Sequence, residues 1–385
     1  MKILYSYLYC NLGGVSSVIR ERLRADTTGQ IEVTCCFSQD AGGSEQMSGL
    51  GAEVYLEKDY IAKTCQLVDE NDYDSVHLID EARRVPDIRK FYKGHLVLEV
   101  HTSTPAFLDQ VTDEIVEQLD LILVPSNWSR QQLAGRLTDD GLANKIEVLP
   151  NIAMTADEDV PPETTTAALT LDGTPYVLWV GKVSGGKNWL DALRIIKDVR
   201  QQTPVRVAMI TGGHIDRDQH AQLVSELIAL GLDDVVDWRH SVSRASMSAI
   251  YQQVATSGGA LLCTSLAESF GLVLIESLSH GIPVFSSNTH ALPELVKPGV
   301  NGDLFPVGNT SEASRMLIEH FGGKSGFDRD AITASVPAQC APQAHFDQFT
   351  SLLQTGIAAA RRRTVPLHLV EILSHYPDRT LAEAS

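Results

Sequence analysis

Short apolar runs alternate with amphipathic stretches along most of the chain. The first run, residues 3–9, is followed by a Gly-Gly turn and by apolar residues that recur at helical spacing. The same succession of strand, Gly-Gly turn and helix returns at residues 176–199. Strands that alternate with helices are typical of parallel sheets, so the pattern predicts an α/β protein. Because the succession starts twice, we predict two similar Rossmann-like domains.

The stretch between the two halves lacks apolar periodicity. Residues 153–173 are acidic and rich in Pro and Thr, which is typical of a linker. We therefore predict a first domain over residues 1–155 and a second domain over residues 172–344. An amphipathic helix is predicted at residues 346–360.

The segment from Gly259 to Asn288 carries most of the candidate chemistry. It is predicted to form a strand, a loop, a helix that ends near Gly281, and a second strand. Glu268 then falls in the loop at the carboxyl end of the first strand. Glu276 lies in the helix, on the order of 10 Å further along at 1.5 Å per residue.

Three backbone amides lie between these two acids, those of Phe270, Gly271 and Leu272. They belong to a helix amino terminus, whose unpaired donors and positive dipole end suit oxygen-rich or anionic ligands. The two acids flanking it could clamp a sugar nucleotide. By itself the pair also has a structural explanation, because an acid beside a helix start complements the dipole and an acid inside a helix is usually solvated.

Two lysines flank a loop at the carboxyl end of a strand in the second half. The ammonium groups of Lys182 and Lys187 could neutralise a diphosphate leaving group as its charge develops, although two surface lysines near a turn would look the same. Gly13 and Gly14 allow a phosphate or sugar to approach the first helix closely, and equally fit a turn without a ligand. His101 follows a strand at the crevice edge of the first sheet, where a lone histidine is otherwise more often structural.

Two longer sequence motifs favour the ligand-binding explanation of these residues over the structural one. ESFGLVLIE (residues 268–276) followed by SLSHGIPV resembles the signature of the retaining glycosyltransferases of family 4, E-G-F-G-L-x-x-x-E and then A-x-A-x-G-x-P-V. Ser269 replaces the usual Gly. WVGKVSGGKN resembles the G-R-x-x-x-x-K pattern of that family, with Lys182 in place of Arg, which keeps the charge and loses the bidentate fork. Pro150-Asn151 resembles the family's hinge V-x-P-N-G-V, with Ile152 in place of the Gly.

A further departure lies after the second strand of this segment. The sequence Thr289-His290-Ala291 stands where the family often has Gly-Gly. A backbone contact to phosphate at this loop is therefore in question.

The resemblance implies a GT-B fold, in which two Rossmann-like domains with parallel sheets face each other across a cleft. It also implies that the carboxyl-terminal segment, about residues 345–385, packs back on the first domain. The implied reaction is retaining transfer of a sugar from a nucleotide-diphosphate sugar to an acceptor, without a metal or another cofactor.

The resemblance also assigns roles to matching residues. Glu268 and the amides of residues 270–272 would hold the donor sugar, Glu276 the ribose hydroxyls, and the two lysines the diphosphate. His101 would lie on the sugar from the first domain, which makes His101 and Glu268 the predicted catalytic residues. Gly13, Gly14 and Asn151 complete the predicted substrate-binding residues.

Charge and composition exclude several other classes. The chain of 385 residues has 31 basic and 49 acidic residues, a net charge of -18, which argues against nucleic acid and anionic membrane surfaces as partners. No apolar run approaches the ~20 residues of a membrane span. The first residues turn polar too early for a secretory signal. We predict a cytoplasmic protein without a stable membrane anchor, and the oligomeric state stays open.

No metal site is predicted. Three D-x-D strings, which mark metal sites in another glycosyltransferase fold, are interpreted here as solvated loops: Asp157/Asp159, Asp216/Asp218 and Asp328/Asp330. No His, Cys and Asp cluster has zinc spacing.

Two alternatives stay open. One is a nucleotide-sugar epimerase or hydrolase on the same fold, which the lysine loop together with ESFGLVLIE disfavours. The other is a non-catalytic nucleotide-sugar-binding partner subunit, against which the intact acids and lysines argue. The acceptor is not encoded in a readable motif, and an acidic chain without an anchor favours a soluble small molecule, for example in natural-product assembly.

Overall fold

A computed structural model describes residues 1–11, 13–152, 169–213 and 215–364. The first part of the chain forms a sheet of seven parallel strands in the order β3-β2-β1-β4-β5-β6-β7. These strands are β1 (Lys2–Asn11), β2 (Glu32–Ala41), β3 (Glu53–Leu56), β4 (Ser75–Ile79), β5 (His95–Glu99), β6 (Leu121–Val124) and β7 (Ile146–Val148).

The second part forms a separate sheet of six parallel strands. Its strands are β8 (Tyr176–Gly181), β9 (Arg206–Thr211), β10 (Val236–His240), β11 (Ala260–Cys263), β12 (Val284–Ser287) and β13 (Gly302–Phe305). Their order, β10-β9-β8-β11-β12-β13, repeats the arrangement of the first sheet, in which the first strand lies in the middle and the chain then crosses to the other side. The prediction of two Rossmann-like domains is therefore confirmed.

Helices connect the strands in both halves. In the first half they are α1 (Val15–Ala25), α2 (Ser44–Gly49), α3 (Tyr60–Glu70), α4 (Val85–Phe91), α5 (Pro105–Leu108), α6 (Asp113–Glu117) and α7 (Asn127–Ala134). The others are α8 (Trp189–Arg200), α9 (Arg217–Ala229), α10 (Arg244–Thr256), α11 (Leu272–Ser279), α12 (Thr310–Phe321), α13 (Arg329–Ala334) and α14 (Pro342–Thr364). None of the helices described combines the length and apolarity needed to cross a bilayer.

Both sheets are buried on their two faces. On β5, Leu96 and Leu98 belong to one hydrophobic cluster, whereas Val97 between them belongs to a different cluster on the opposite face. On β8, Leu178 and Val177 are divided between two clusters in the same way. Because helices cover both faces, the strands read as continuous apolar runs instead of alternating ones, and this is why the sequence pattern locates them well.

Some helix boundaries differ from the sequence prediction for local reasons. The charged residues 80–93 are predicted from the sequence to form a surface helix; the structure has a short 3₁₀ turn there, followed by α4 with Pro86 in its first turn. The sequence pattern predicts a helical stretch over residues 248–254. Helix α10 starts earlier, at Arg244, because the hydroxyl of Ser243 accepts a hydrogen bond from the amide of Ser246 at 3.2 Å.

Helix α14 packs on the first domain, although it follows the second domain in the chain. Phe349 and Leu353 belong to a first-domain hydrophobic cluster together with Ile19 of α1 and Val97 of β5. Residues 153–168, which hold most of the predicted linker, and residues 365–385 lie outside the described residues, so the predicted domain limits stay predictions.

Candidate functional site

The predicted site begins where the chain enters α11. Gly271 precedes the helix and has a φ of 110°. A Cβ atom on this residue would lie 2.8 Å from Cδ2 of Leu292, so both the backbone conformation and the close approach require glycine. Phe270 is buried in the core beside it. The string F-G-L thus places the start of α11, with its unpaired amides, at the carboxyl ends of the strands of the second sheet.

Lys187 and Glu268 form an ion pair at this edge. Lys187 follows β8 and Glu268 follows β11, and these two strands are neighbours in the sheet. The hydroxyl of Ser265 donates a hydrogen bond of 2.7 Å to the same carboxylate oxygen. Burial alone would lower the pKa of Lys187, but the Glu268 carboxylate outweighs this effect and raises the pKa. The structure therefore brings these two predicted residues together as a charged pair.

Glu276 lies further along α11, in a different environment. Its carboxyl group accepts a hydrogen bond of 2.7 Å from the hydroxyl of Tyr251. Burial raises the pKa of Glu276 to about 7, and Glu21 adds to the rise, whereas Tyr251 and Arg244 oppose it. The carboxyl group consequently titrates near neutral pH.

An ion pair between the two domains adjoins this carboxyl group. Nε of Arg244, on α10, lies 2.9 Å from Oε1 of Glu21, on α1, and one terminal nitrogen of Arg244 lies 3.2 Å from the other carboxylate oxygen. Both residues act electrostatically on Glu276. The inner part of the predicted nucleotide site is thus bounded by both domains.

His101 lies at the carboxyl end of β5 and contacts the signature loop of the other domain. Its Nε2 atom is 3.1 Å from Oε2 of Glu99, and its backbone amide donates a hydrogen bond of 2.8 Å to Asp80. Its carbonyl oxygen accepts a hydrogen bond from the hydroxyl of Ser269, the residue that departs from the family signature. The predicted residue His101 therefore contacts the signature loop of the second domain through Ser269.

The other predicted substrate-binding residues have no hydrogen bond or ion pair with the Lys187–Glu268 pair among the described residues. The exposed side chain of Lys182 passes over Gly213, where a Cβ atom would lie 3.3 Å from Cε of Lys182. Gly13 and Gly14 have open space on their side-chain positions, at the start of α1. Asn151 is buried, and its Oδ1 atom has no hydrogen-bond partner among the described residues.

A further contact between the two domains was not predicted. The carboxylate of Glu294 accepts hydrogen bonds from the backbone amides of Asn127 and Trp128, at 3.0 and 2.7 Å, and so caps α7 from the other domain. The rings of Trp128 and His290 lie 4.4 Å apart. His290 has a φ of 50°, so this residue adopts the left-handed conformation that Gly would take most easily. In the sequence, the only indication of this contact was the string Pro293-Glu294.

Sequence reasoning also missed a buried charge in the first domain. Glu99 ends the otherwise apolar run of β5 and is 1% exposed. It pairs with Arg22 of α1, which is 2% exposed. An acid in a strand predicted to be buried on both faces was the available signal, because such a charge requires a partner.

The D-x-D strings outside the site have local structural roles. Asp216 caps α9 and Asp328 caps α13, each by accepting a hydrogen bond of 2.8 Å from a backbone amide of the first turn. Asp157 and Asp159 lie outside the described residues. Within the described ranges, no group of three or more His, Cys, Asp or Glu side chains is arranged to hold a metal ion.

Comparisons with known proteins agree with this architecture. The family profile described as "Glycosyl transferases group 1" matches residues 163–322. The lipopolysaccharide 1,6-galactosyltransferase of Salmonella typhimurium is 31% identical over 108 residues, 28% of this chain and 30% of that protein. The phosphatidyl-myo-inositol mannosyltransferase of Mycobacterium tuberculosis is 27% identical over 252 residues, 61% of this chain and 60% of that protein.

A solved structure extends the likeness to nearly the whole chain. Anabaena Alr3699/HepE, crystallised in complex with UDP-glucose, superposes with a TM-score of 0.76 at 18% identity and covers 92% of this chain and 100% of its own. At this identity the likeness concerns the fold, and it confirms the predicted GT-B arrangement of two parallel-sheet domains. The chain therefore has the GT-B fold, and its residues 163–322 are similar to the glycosyl transferases group 1 family.

Proposed function

We propose that the chain transfers a sugar from a nucleotide-diphosphate sugar to an acceptor, with retention of the anomeric configuration and without a metal ion. The observation that carries the proposal is the Lys187–Glu268 pair beside the amino terminus of α11, at the boundary of the two domains. The cation could bind the phosphates of such a donor, and the carboxylate could bind the sugar hydroxyls. The helix amino terminus could stabilise the negative charge that develops on the leaving diphosphate.

The ion pair gives a simple account of donor binding. A diphosphate near Lys187 would compete with Glu268 for the ammonium group, and the exposed Lys182 would add a second positive charge. Glu268 would then be free to accept hydrogen bonds from sugar hydroxyls, while Ser265 continues to hold its carboxylate. The helix amides and the ammonium groups would stabilise the charge that develops on the leaving diphosphate.

The nucleoside would lie deeper along α11. Glu276, paired with Tyr251, offers a carboxylate for the two ribose hydroxyls. His101 would contact the donor sugar from the first domain. We place Gly13, Gly14 and Asn151 in the first-domain part of the substrate site, and we propose a soluble small-molecule acceptor and a cytoplasmic location.

The decisive experiment is turnover by the purified chain alone. Uridine, guanosine, thymidine and adenosine diphosphate sugars would be offered with a panel of small hydroxylated acceptors, starting with UDP-glucose because HepE was crystallised with it. NMR of the product would give the anomeric configuration, and the reaction would be repeated in excess EDTA. We expect transfer with retention, unchanged by the chelator.

Matched variants separate the site from general damage. Lys187→Met and Glu268→Gln should reduce transfer by about 100-fold or more, whereas Lys324→Met and Glu226→Gln on the surface of the same domain should not. Release of free sugar or a change in the sugar without transfer would favour the hydrolase or epimerase alternative. Donor binding without turnover would favour a partner subunit.

A further inference from the structure

The carboxylate of Glu99, which was not among the predicted site residues, lies at the centre of a buried polar cluster that includes His101. One terminal nitrogen of Arg22 lies 2.8 and 3.0 Å from its two oxygens, and Nδ1 of His77 lies 2.7 Å from Oε1. The fourth contact is Nε2 of His101, 3.1 Å from Oε2. Three elements of the first domain, α1, β4 and β5, thus converge on one carboxylate next to the domain boundary.

Arg22 is fixed from several sides. Its Nε atom donates a hydrogen bond of 3.2 Å to Nε2 of His345 on α14, and its guanidinium lies 4.2 Å from the ring centre of Phe349. It also donates a hydrogen bond of 3.3 Å to the hydroxyl of Tyr5. Because a buried charge is costly without a partner, this arrangement keeps the guanidinium against Glu99.

Glu99 is consequently ionised. Burial alone would raise its pKa, but Arg22, His101 and His77 reverse the effect and hold the pKa of Glu99 well below its usual value. An ionised carboxylate only accepts hydrogen bonds, so the nitrogen of His101 that faces it must carry the proton. That nitrogen is Nε2.

His101 is held at two further points. Its amide donates to Asp80, and its carbonyl oxygen accepts from Ser269 of the second domain. The side chain of His101 is 7% exposed, and its Nδ1 atom is buried without a hydrogen-bond partner among the described residues. The ring therefore has one polar atom left for a ligand.

We propose that Glu99, paired with Arg22, is a positioning residue that fixes the orientation and the tautomer of His101, so that Nδ1 accepts a hydrogen bond from a hydroxyl of the bound sugar. This inference rests on the proposed function, because it gives His101 a sugar ligand. The arrangement follows a general rule: a second group bonded to one ring nitrogen determines which nitrogen is free to act on the substrate.

The test combines NMR of the ring nitrogens with kinetics. Protein labelled with ¹⁵N-histidine would show the tautomer of His101, identified by the signal that His101→Gln removes. Removing Glu99 alone would leave Arg22 unpaired and threaten folding, so the test variant is Arg22→Met with Glu99→Leu, which replaces the pair by apolar side chains. The control is Arg89→Met with Asp120→Leu, which removes another ion pair of the first domain, with a nitrogen-to-oxygen distance of 2.8 Å.

In the wild type we expect the neutral His101 ring to carry its proton on Nε2. The test variant should populate both tautomers and lower kcat by about 100-fold, with the donor dissociation constant within about threefold; the control should change neither tautomer nor kcat. A proton on Nδ1 in the wild type, an unchanged tautomer in the test variant, or an unchanged kcat would overturn the proposal. If the wild type turns over no donor, the proposed function fails, while the tautomer measurement still decides the role of Glu99.

Discussion

The half-buried carboxyl group of Glu276 makes the stability of the second domain depend on pH in a predictable direction. Its pKa is raised from 4.5 to about 7, mainly by burial, so the folded state holds its proton more tightly than the unfolded state does. The sign follows from this difference. The contribution of the group to stability is complete below pH 4.5 and is lost as the pH rises through 7. Glu276→Gln keeps the shape and removes the titration.

The magnitude follows from the shift. A difference of two and a half pKa units at about 1.4 kcal/mol per unit changes the unfolding free energy by about 3 kcal/mol between a pH well below 4.5 and a pH well above 7. Partial contact of the carboxyl group with water reduces this change. Relative to Glu276→Gln, the wild type should therefore lose about 2 kcal/mol of unfolding free energy between pH 5 and pH 8.5.

Urea unfolding followed by tryptophan fluorescence measures this difference, because Trp179, Trp189 and Trp238 report on the second domain. Glu226→Gln, on the surface of the same domain, serves as the control and should track the wild type at both pH values. If wild type and Glu276→Gln differ by the same amount at pH 5 and at pH 8.5, the carboxyl group is not buried as described. The reasoning about the inner part of the nucleotide site would then fail with it.

Three further outcomes are expected. Burial and Arg22 lower the pKa of His345 from 6.5 to about 3, so this buried ring stabilises the fold above pH 6.5 and loses that effect as the pH falls. The melting temperature of His345→Gln should therefore depend less on pH between 6.5 and 4 than that of the wild type does. Glu294→Ala removes the interdomain cap of α7, and small-angle X-ray scattering should show a larger radius of gyration. Gly271→Ala should lose about 1–3 kcal/mol of unfolding free energy because of its positive φ and the contact with Leu292, whereas Gly173→Ala, also at positive φ but in open space, should lose less.

Much of the fold is readable from local sequence. The sequence predicts strands at residues 53–56 and 260–263, and β3 and β11 have these bounds. Helix α8 starts at Trp189, where the helical spacing of apolar residues begins, and Gly281 has the positive φ that is predicted for a left-handed helix cap. Helices α3, α9 and α12 were not predicted, although each begins after an Asp or Asn cap. Caps mark where a helix begins only when the apolar stripe after them is also recognised.

The candidate site also has features that the sequence shows and features that it does not show. The spacing of Glu268 and Glu276 around a Gly-containing helix start is visible in the sequence, and so are Lys182 and Lys187, because motif residues are held by one turn or one loop. The pairing of Lys187 with Glu268 is not visible. It depends on β8 and β11 being neighbours in the sheet.

By itself the sequence determined the α/β class, the repeated Rossmann-like pattern and the loop and helix that carry the signature. These features depend on hydrophobic periodicity and turn chemistry over a few residues. Only the tertiary structure decided that Arg22 neutralises Glu99, that Ser269 binds the carbonyl group of His101, and that Glu294 caps α7. Each of these contacts joins residues far apart in the chain, and the partner of a buried charge or a helix end is chosen by packing, which local patterns do not encode.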